Sequence, residues 1–228
     1  MLLINERASE LLVQALRVGL EVNEEKTEYL VMRRNRQDEA LEVAGLSFKN
    51  VTEFRYLGSF VTSDNDMEYE VASRIQSGSR CLFSLDHVFC SRVLSRKAML
   101  RVYKAVLRPT ITYGCETWNL TARAQKRRLT FENKVLRQIL RPKRYPLTAR
   151  LRMRSNEEAR RFTGQPLITR TIKSHRLRWA GHVARAPPTR YIRQVLDGRP
   201  TSPRPRGRPR LRWEDNVSAD AGRLGVLD

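Results

Sequence analysis

The chain has 228 residues and a mass of 26.6 kDa, enough for one or two compact domains. Its 44 Lys and Arg against 24 Asp and Glu give a formal net charge of +20, which argues for a polyanionic partner, with nucleic acid ahead of a membrane surface. A hydrophobic fraction of 40% argues against wholesale disorder, no apolar run is long enough for a transmembrane helix, and three cysteines exclude a disulfide framework and fit a reducing interior.

The N-terminus, Met1-Leu2-Leu3-Ile4-Asn5-Glu6, lacks the basic start of a signal peptide. Ala8, Leu11, Leu12, Ala15 and Leu16 recur at helical spacing and predict a helix over 6–19 that closes at Gly19. A polar turn over Glu24–Thr27 leads to a strand from Tyr29 to Arg33. Leu41-Glu42-Val43 alternates and stops at Gly45. The aromatic and β-branched run Phe54–Val61 reads as a further strand. The front is therefore expected to be a helix on a small, mostly antiparallel sheet.

At Ser63–Asp66 the pattern changes. Asn65, with Glu68 three residues on, predicts a helix cap. Met67, Val71, Ile75, Gly78, Leu82, Leu85 and Phe89 then trace one long amphipathic helix. Ser95 opens a second helix, which Pro109 limits or kinks, and Thr121 opens a third that ends before Pro142. The exposed early turns of this third helix carry Arg123, Lys126, Arg127 and Arg128. Pro142–Pro146 reads as a linker, and shorter helices are expected near 156–163, 174–185 and 189–197. Pro and Gly then alternate with Arg from Pro203 to Arg210, a composition that favours an extended segment. A last short helix places Trp213, Val217 and Ala221 on one face. The fold class is α+β, with divisions at 1–65, 66–145, 146–198 and 199–228.

The charge is stepped. Residues 1–65 hold 8 basic and 11 acidic side chains, net −3, whereas 66–145 carry a net +11 and 146–228 a net +12. The step assigns binding to the last two thirds. Arginine dominates, 36 against 8 lysines, and its planar fork suits phosphates and stacks on bases.

Several stretches, in order, resemble the C-terminal part of non-LTR (LINE-type) retrotransposon reverse transcriptases. Gly19-Leu20-Glu21-Val22-Asn23-Glu24-Glu25-Lys26-Thr27-Glu28 resembles the fourth palm motif, and Phe54-x-Tyr56-Leu57-Gly58 the primer-grip hairpin. Tyr103–Trp118, with Arg108-Pro109 and Tyr113-Gly114-x-Glu116-x-Trp118, looks like the thumb. Leu177-Arg178-Trp179-x-Gly181-His182 and Gly207-Arg208-Pro209-x-x-Arg212-Trp213 look like the region that follows. The resemblance implies a palm remnant, a helical thumb and a basic C-terminal region. It would place Lys26 near a departing pyrophosphate, Tyr56, Leu57 and Gly58 at the primer, and Arg123, Lys126, Arg127 and Arg128 along a nucleic-acid backbone.

The resemblance also implies two Mg²⁺ ions on aspartates in the full-length family, one site being an Asp-Asp pair. The chain contains no Asp-Asp pair. The fingers and most of the palm are expected upstream of residue 1, so this chain alone is expected to need no cofactor and not to polymerise. Its partners would be RNA, DNA or their hybrid, and the missing N-terminal part of the polymerase, in the nucleus or the cytoplasm.

An alternative from another class is a stand-alone DNA-binding or architectural protein. The tail, with Arg204, Arg206, Arg208, Arg210 and Arg212, contains an Arg-Gly-Arg-Pro core resembling an AT-hook, which lies in the narrow minor groove. A third reading is a non-functional relic. No metal site is expected. His175 and His182 have no cysteine nearby in sequence, and the spacings of Cys81, His87 and Cys90 do not share one helical face.

Overall fold

The computed structural model describes residues 2–32, 40–144, 150–198, 207 and 211–223. The chain forms two compact units, Met1–Glu70 and Val71–Asp228. It is an α+β protein: small sheets in the front unit, mostly helices behind.

In the first unit, α1 (Leu2–Arg17) lays Ala8 and Leu12 on a three-stranded sheet. The sheet runs β1 (Glu28–Tyr29), β3 (Leu46–Asn50), β2 (Leu41–Val43), with β1 parallel and β2 antiparallel to β3. The expected, mostly antiparallel sheet carries one short parallel pairing, because β2 follows β1 in the chain and β3 then takes the place between them. Alternation puts Leu41, Val43 and Phe48 inward with Leu12. Ala44 and Gly45 join β2 to β3, both at positive φ (51° and 82°), the two-residue turn whose twist matches a hairpin.

The stretch Phe54–Val61 is not one strand. It is a hairpin, β4 (Glu53–Tyr56) and β5 (Ser59–Thr62), closed by Leu57 and Gly58 at φ 47° and 86°. The helix cap also differs from expectation. Asp66, not Asn65, accepts the Glu68 N–H (2.9 Å), while Asn65 sits in the preceding turn at φ 53°. The helix it opens, α2 (Met67–Ser84), contains the division between the units. Within the first unit, buried Glu70 accepts the Phe60 N–H (2.8 Å), and Phe60 meets Tyr69 edge-on.

In the second unit the expected long helix breaks at Leu85 into α2 and α3 (Asp86–Cys90). Ser95 and Thr121 cap α4 (Arg96–Val102) and α6 (Ala122–Leu140) as expected, each side chain accepting the N–H three residues on. Between α4 and α5 (Arg108–Thr112) lies a π-helical turn, Tyr103–Leu107. Pro109 therefore sits in the first turn of α5, where its missing N–H is least costly. A 3₁₀ turn, Cys115–Thr117, follows left-handed Gly114. After Pro142, β6 (Lys143–Arg144) pairs antiparallel with β7 (Leu151–Arg152), and the rest of the expected linker, Tyr145 and Pro146, lies outside the described residues. Then come α7 (Asn156–Thr163), α8 (Ile168–Ala184), α9 (Tyr191–Asp197) and α10 (Trp213–Gly222). Helix α8 starts six residues before the expected position, because it follows Pro166-Leu167 with no polar cap to mark it.

The core of this unit gathers Phe89, Met99, Tyr103, Leu107, Ile111 and Leu136 around α6 and its neighbours, all at most 2% exposed. At Gly78 in α2 an added Cβ would lie 2.4 Å from Ile111 Cγ2 and 3.1 Å from Phe131 Cζ, so the helices meet at a point only glycine allows. A fully buried carboxylate ties the layers together. Glu132 of α6 accepts from the Tyr103 hydroxyl (2.7 Å), Arg160 (2.9 Å) and the Ile168 N–H (3.0 Å), with Arg108 at 3.7 Å. Burial, and then the Glu132 charge, push the Tyr103 hydroxyl far above its ordinary pKa.

Candidate nucleic-acid interface

Helix α6 forms because apolar residues return on one side, namely Ala124, Phe131, Val135, Leu136 and Ile139. The opposite side carries Arg123, Lys126, Arg127 and Lys134, all exposed. These fall at i, i+3, i+4 and i+11, on one face over roughly 16 Å. The helix has one acid, Glu132, and it points inward to Arg160 and Tyr103. The outer face of α6 is therefore cationic without an acid of its own.

A second stripe runs along α8. Arg170, Arg178, His182 and the C-capping Arg185 are exposed, and α8 contains no acid. Its other face carries Ile168, Ile172 and Val183 inward. Trp179 and His182 stack with centroids 5.3 Å apart. Lys134 and the α8 arginines were not assigned to binding from the sequence, although Arg178 lies in one of the motifs. Their signal was there, in exposed positions of helices with no acid on the outer face.

The structure separates the residues expected to bind. Arg123, Lys126 and Arg127 share the exposed face of α6. Arg128 does not. It is fully buried, with its guanidinium over the Trp118 ring, 3.5 Å from the centroid. The expectation that it tracks a backbone is corrected: one residue further along a helix turns about 100°, which carries position 128 to the core side. Tyr56 (61% exposed) and Leu57 (75%) stand out from the β4–β5 hairpin, and Gly58 makes its turn. Lys26 is exposed in a turn built by Asn23, whose Oδ1 accepts the Lys26 N–H (2.9 Å).

Arg204, Arg206, Arg208 and Arg210 lie outside the described residues. Gly207 among them has φ +100°, a conformation suited to glycine. Half-buried Arg212 begins α10, its N–H bound to Asp215 Oδ2 (2.7 Å). Helix α10 is anchored in the second unit. Asp220 pairs with Arg176 (2.8 Å) and Lys173 (2.7 Å), Trp213 Nε1 donates to Glu116 O (2.7 Å), and Asn216 bonds Asn119.

Near this anchor, three potential ligand side chains from two elements converge. Cys115, Glu116 and His175 place their donor atoms within 4.8 Å of one another. Burial pushes the Cys115 thiol up to about 12, while Arg128 and Arg176 oppose that shift. Sequence spacing did not reveal this cluster, since Cys115 and His175 are 60 residues apart.

The cationic outer faces of α6 and α8 and the anchored α10 make the second unit basic and helix-rich. No family model matches the chain, and no solved structure matches it. An uncharacterised transposon-derived protein of Caenorhabditis elegans is 26% identical over 219 residues, spanning 91% of this chain and 75% of that protein. No described helix is long and apolar enough to cross a membrane.

Proposed function

We propose that the chain corresponds to the end of the palm, the thumb and the C-terminal region of a non-LTR retrotransposon reverse transcriptase, and that it holds RNA, DNA or their hybrid through phosphates. The observation that carries this reading is the outer face of α6, where Arg123, Lys126, Arg127 and Lys134 are exposed and the helix's one acid is internal. A helix face of this kind meets successive phosphates without base readout. The ordered motifs and the transposon-derived relative support the family reading. With no Asp-Asp pair to hold two metal ions, the chain by itself does not polymerise.

Binding of labelled single-stranded RNA, duplex DNA and an RNA–DNA hybrid, measured across salt concentrations, tests this. Log affinity should fall linearly with log salt, by about 0.7–0.9 per phosphate neutralised. Replacing Arg123, Lys126 and Arg127 together with alanine should lower that slope by about 2 to 3. Deleting 199–213 should leave much of the binding intact, whereas a protein working through its Arg-Pro tail would lose nearly all of it. An affinity flat in salt would overturn the reading, and so would template-dependent extension of a primer by the chain alone.

A further inference from the structure

The turn after α5 and the middle of α8 bring together three donors of different chemistry. Cys115 Sγ lies 3.7 Å from His175 Nδ1, and the same nitrogen lies 3.7 Å from Glu116 Oε1. Zinc bonds of about 2.3 Å to sulfur and about 2.0–2.2 Å to nitrogen or oxygen, at tetrahedral angles, separate neighbouring donors by roughly 3.4–3.6 Å. Both observed separations fall close to that spacing, and the Nδ1–Oε1 distance is too long for a hydrogen bond.

The geometry points to a binding site for a thiophilic divalent cation of the zinc class, held by Cys115, Glu116 and His175. A thiolate, an imidazole and a carboxylate together select zinc over magnesium or calcium, which prefer oxygen alone. The thiolate and the carboxylate balance the charge of the dication. Cys115 is buried, while the His175 and Glu116 side chains are 35% and 36% exposed, so the fourth coordination position opens toward water.

The ligands are held in place on both sides. Trp213 Nε1 donates to Glu116 O (2.7 Å), and Arg176 Nη2 donates to Trp118 O (3.1 Å). Nearby cations have other engagements: Arg176 pairs with Asp220, and Arg128 stacks on Trp118. A bound ion would fasten the Cys115–Thr117 turn to α8.

The full chain, reduced and freed of metal by a chelator, is titrated with Co²⁺ and then with Zn²⁺. One equivalent of Co²⁺ should produce a sulfur-to-cobalt charge-transfer band in the near ultraviolet, and Zn²⁺ should displace it. The double variant Cys81→Ser/Cys90→Ser, which alters only a half-buried and an exposed thiol, should keep band and stoichiometry unchanged. Cys115→Ser should abolish the band. His175→Gln and Glu116→Gln should each weaken Co²⁺ binding by about tenfold or more, and Zn²⁺ should raise the Tm of the parent chain but not of His175→Gln. Loss of the band in the Cys81/Cys90 variant, its survival in Cys115→Ser, or unchanged affinity in His175→Gln would overturn the site. Should Cys115→Ser fail to fold by circular dichroism, the Cys81/Cys90 and His175 variants decide the matter.

Discussion

Arg128 sits over the ring of Trp118, its guanidinium carbon 3.5 Å from the ring centroid and both side chains removed from solvent. A buried cation–π contact of this kind contributes about 2 kcal/mol or more. Arg128→Ala should therefore destabilise the chain by about 2–4 kcal/mol in denaturant titration. The exposed alanine variants at Arg123, Lys126 and Arg127 should change stability by less than about 0.5 kcal/mol each. If Arg128→Ala left stability intact and selectively weakened nucleic-acid binding, the burial assignment would be wrong.

Gly78 lies where α2 meets the Ile111 and Phe131 side chains. An added methyl group would have 2.4 Å to Ile111 Cγ2, well inside contact distance. Glycine to alanine in a helix usually stabilises by up to about 1 kcal/mol. Here overpacking should reverse the sign, and Gly78→Ala should cost about 1–3 kcal/mol. Thermal melts of Gly78→Ala beside Gly78→Ala/Ile111→Val distinguish steric crowding, which the second change relieves, from a general helix effect.

Ala44 occupies the left-handed region at φ 51°, next to Gly45 in a two-residue hairpin turn. An alanine there is strained by about 1 kcal/mol, whereas asparagine and glycine favour that position. Ala44→Asn should raise stability by about 0.5–1 kcal/mol, read as an upward shift in the denaturant midpoint. A fall in the midpoint would contradict the turn geometry.

Glu158 completes a capping box with Ser155 and receives Arg152 Nη2 at 2.5 Å. The hydrogen bond from Arg152, and then the Ser155 N–H, hold its pKa down to about 2 from an ordinary 4.5. A depressed folded-state value means the carboxylate supports folding fully above about 4.5 and loses that support as pH falls through about 2. Arg152→Ala should move the Glu158 titration upward by NMR and reduce the change in stability across that window. An unmoved titration would rule out Arg152 as the main cause.

Some of this was legible in the sequence because local rules decide it. Ser95 and Thr121 cap the helices they were expected to cap, since a hydroxyl followed by a helical run has one good use. The Asn156–Thr163 and Tyr191–Asp197 helices stand close to where periodicity put them. Residue propensity alone hid the β4–β5 hairpin, which only the family resemblance implied, because its turn is Leu57-Gly58 and leucine does not advertise a positive φ. Arg128 was hidden for a different reason. Charge suggests solvent, whereas the guanidinium stacks on Trp118, ten residues upstream. The Cys115–Glu116–His175 cluster depends on how α8 returns to the turn after α5, which no local spacing encodes.

The inward position of Glu132 has one more consequence. Helix α6 spends its only negative charge on Tyr103, Arg160 and the Ile168 N–H, so no acid within the helix offsets Arg123, Lys126 and Lys134. Neutralisation on that side must come from outside the helix. At low ionic strength the purified protein should therefore gather small anions and carry over cellular polyanions, visible as excess absorbance at nucleic-acid wavelengths until high salt strips them away.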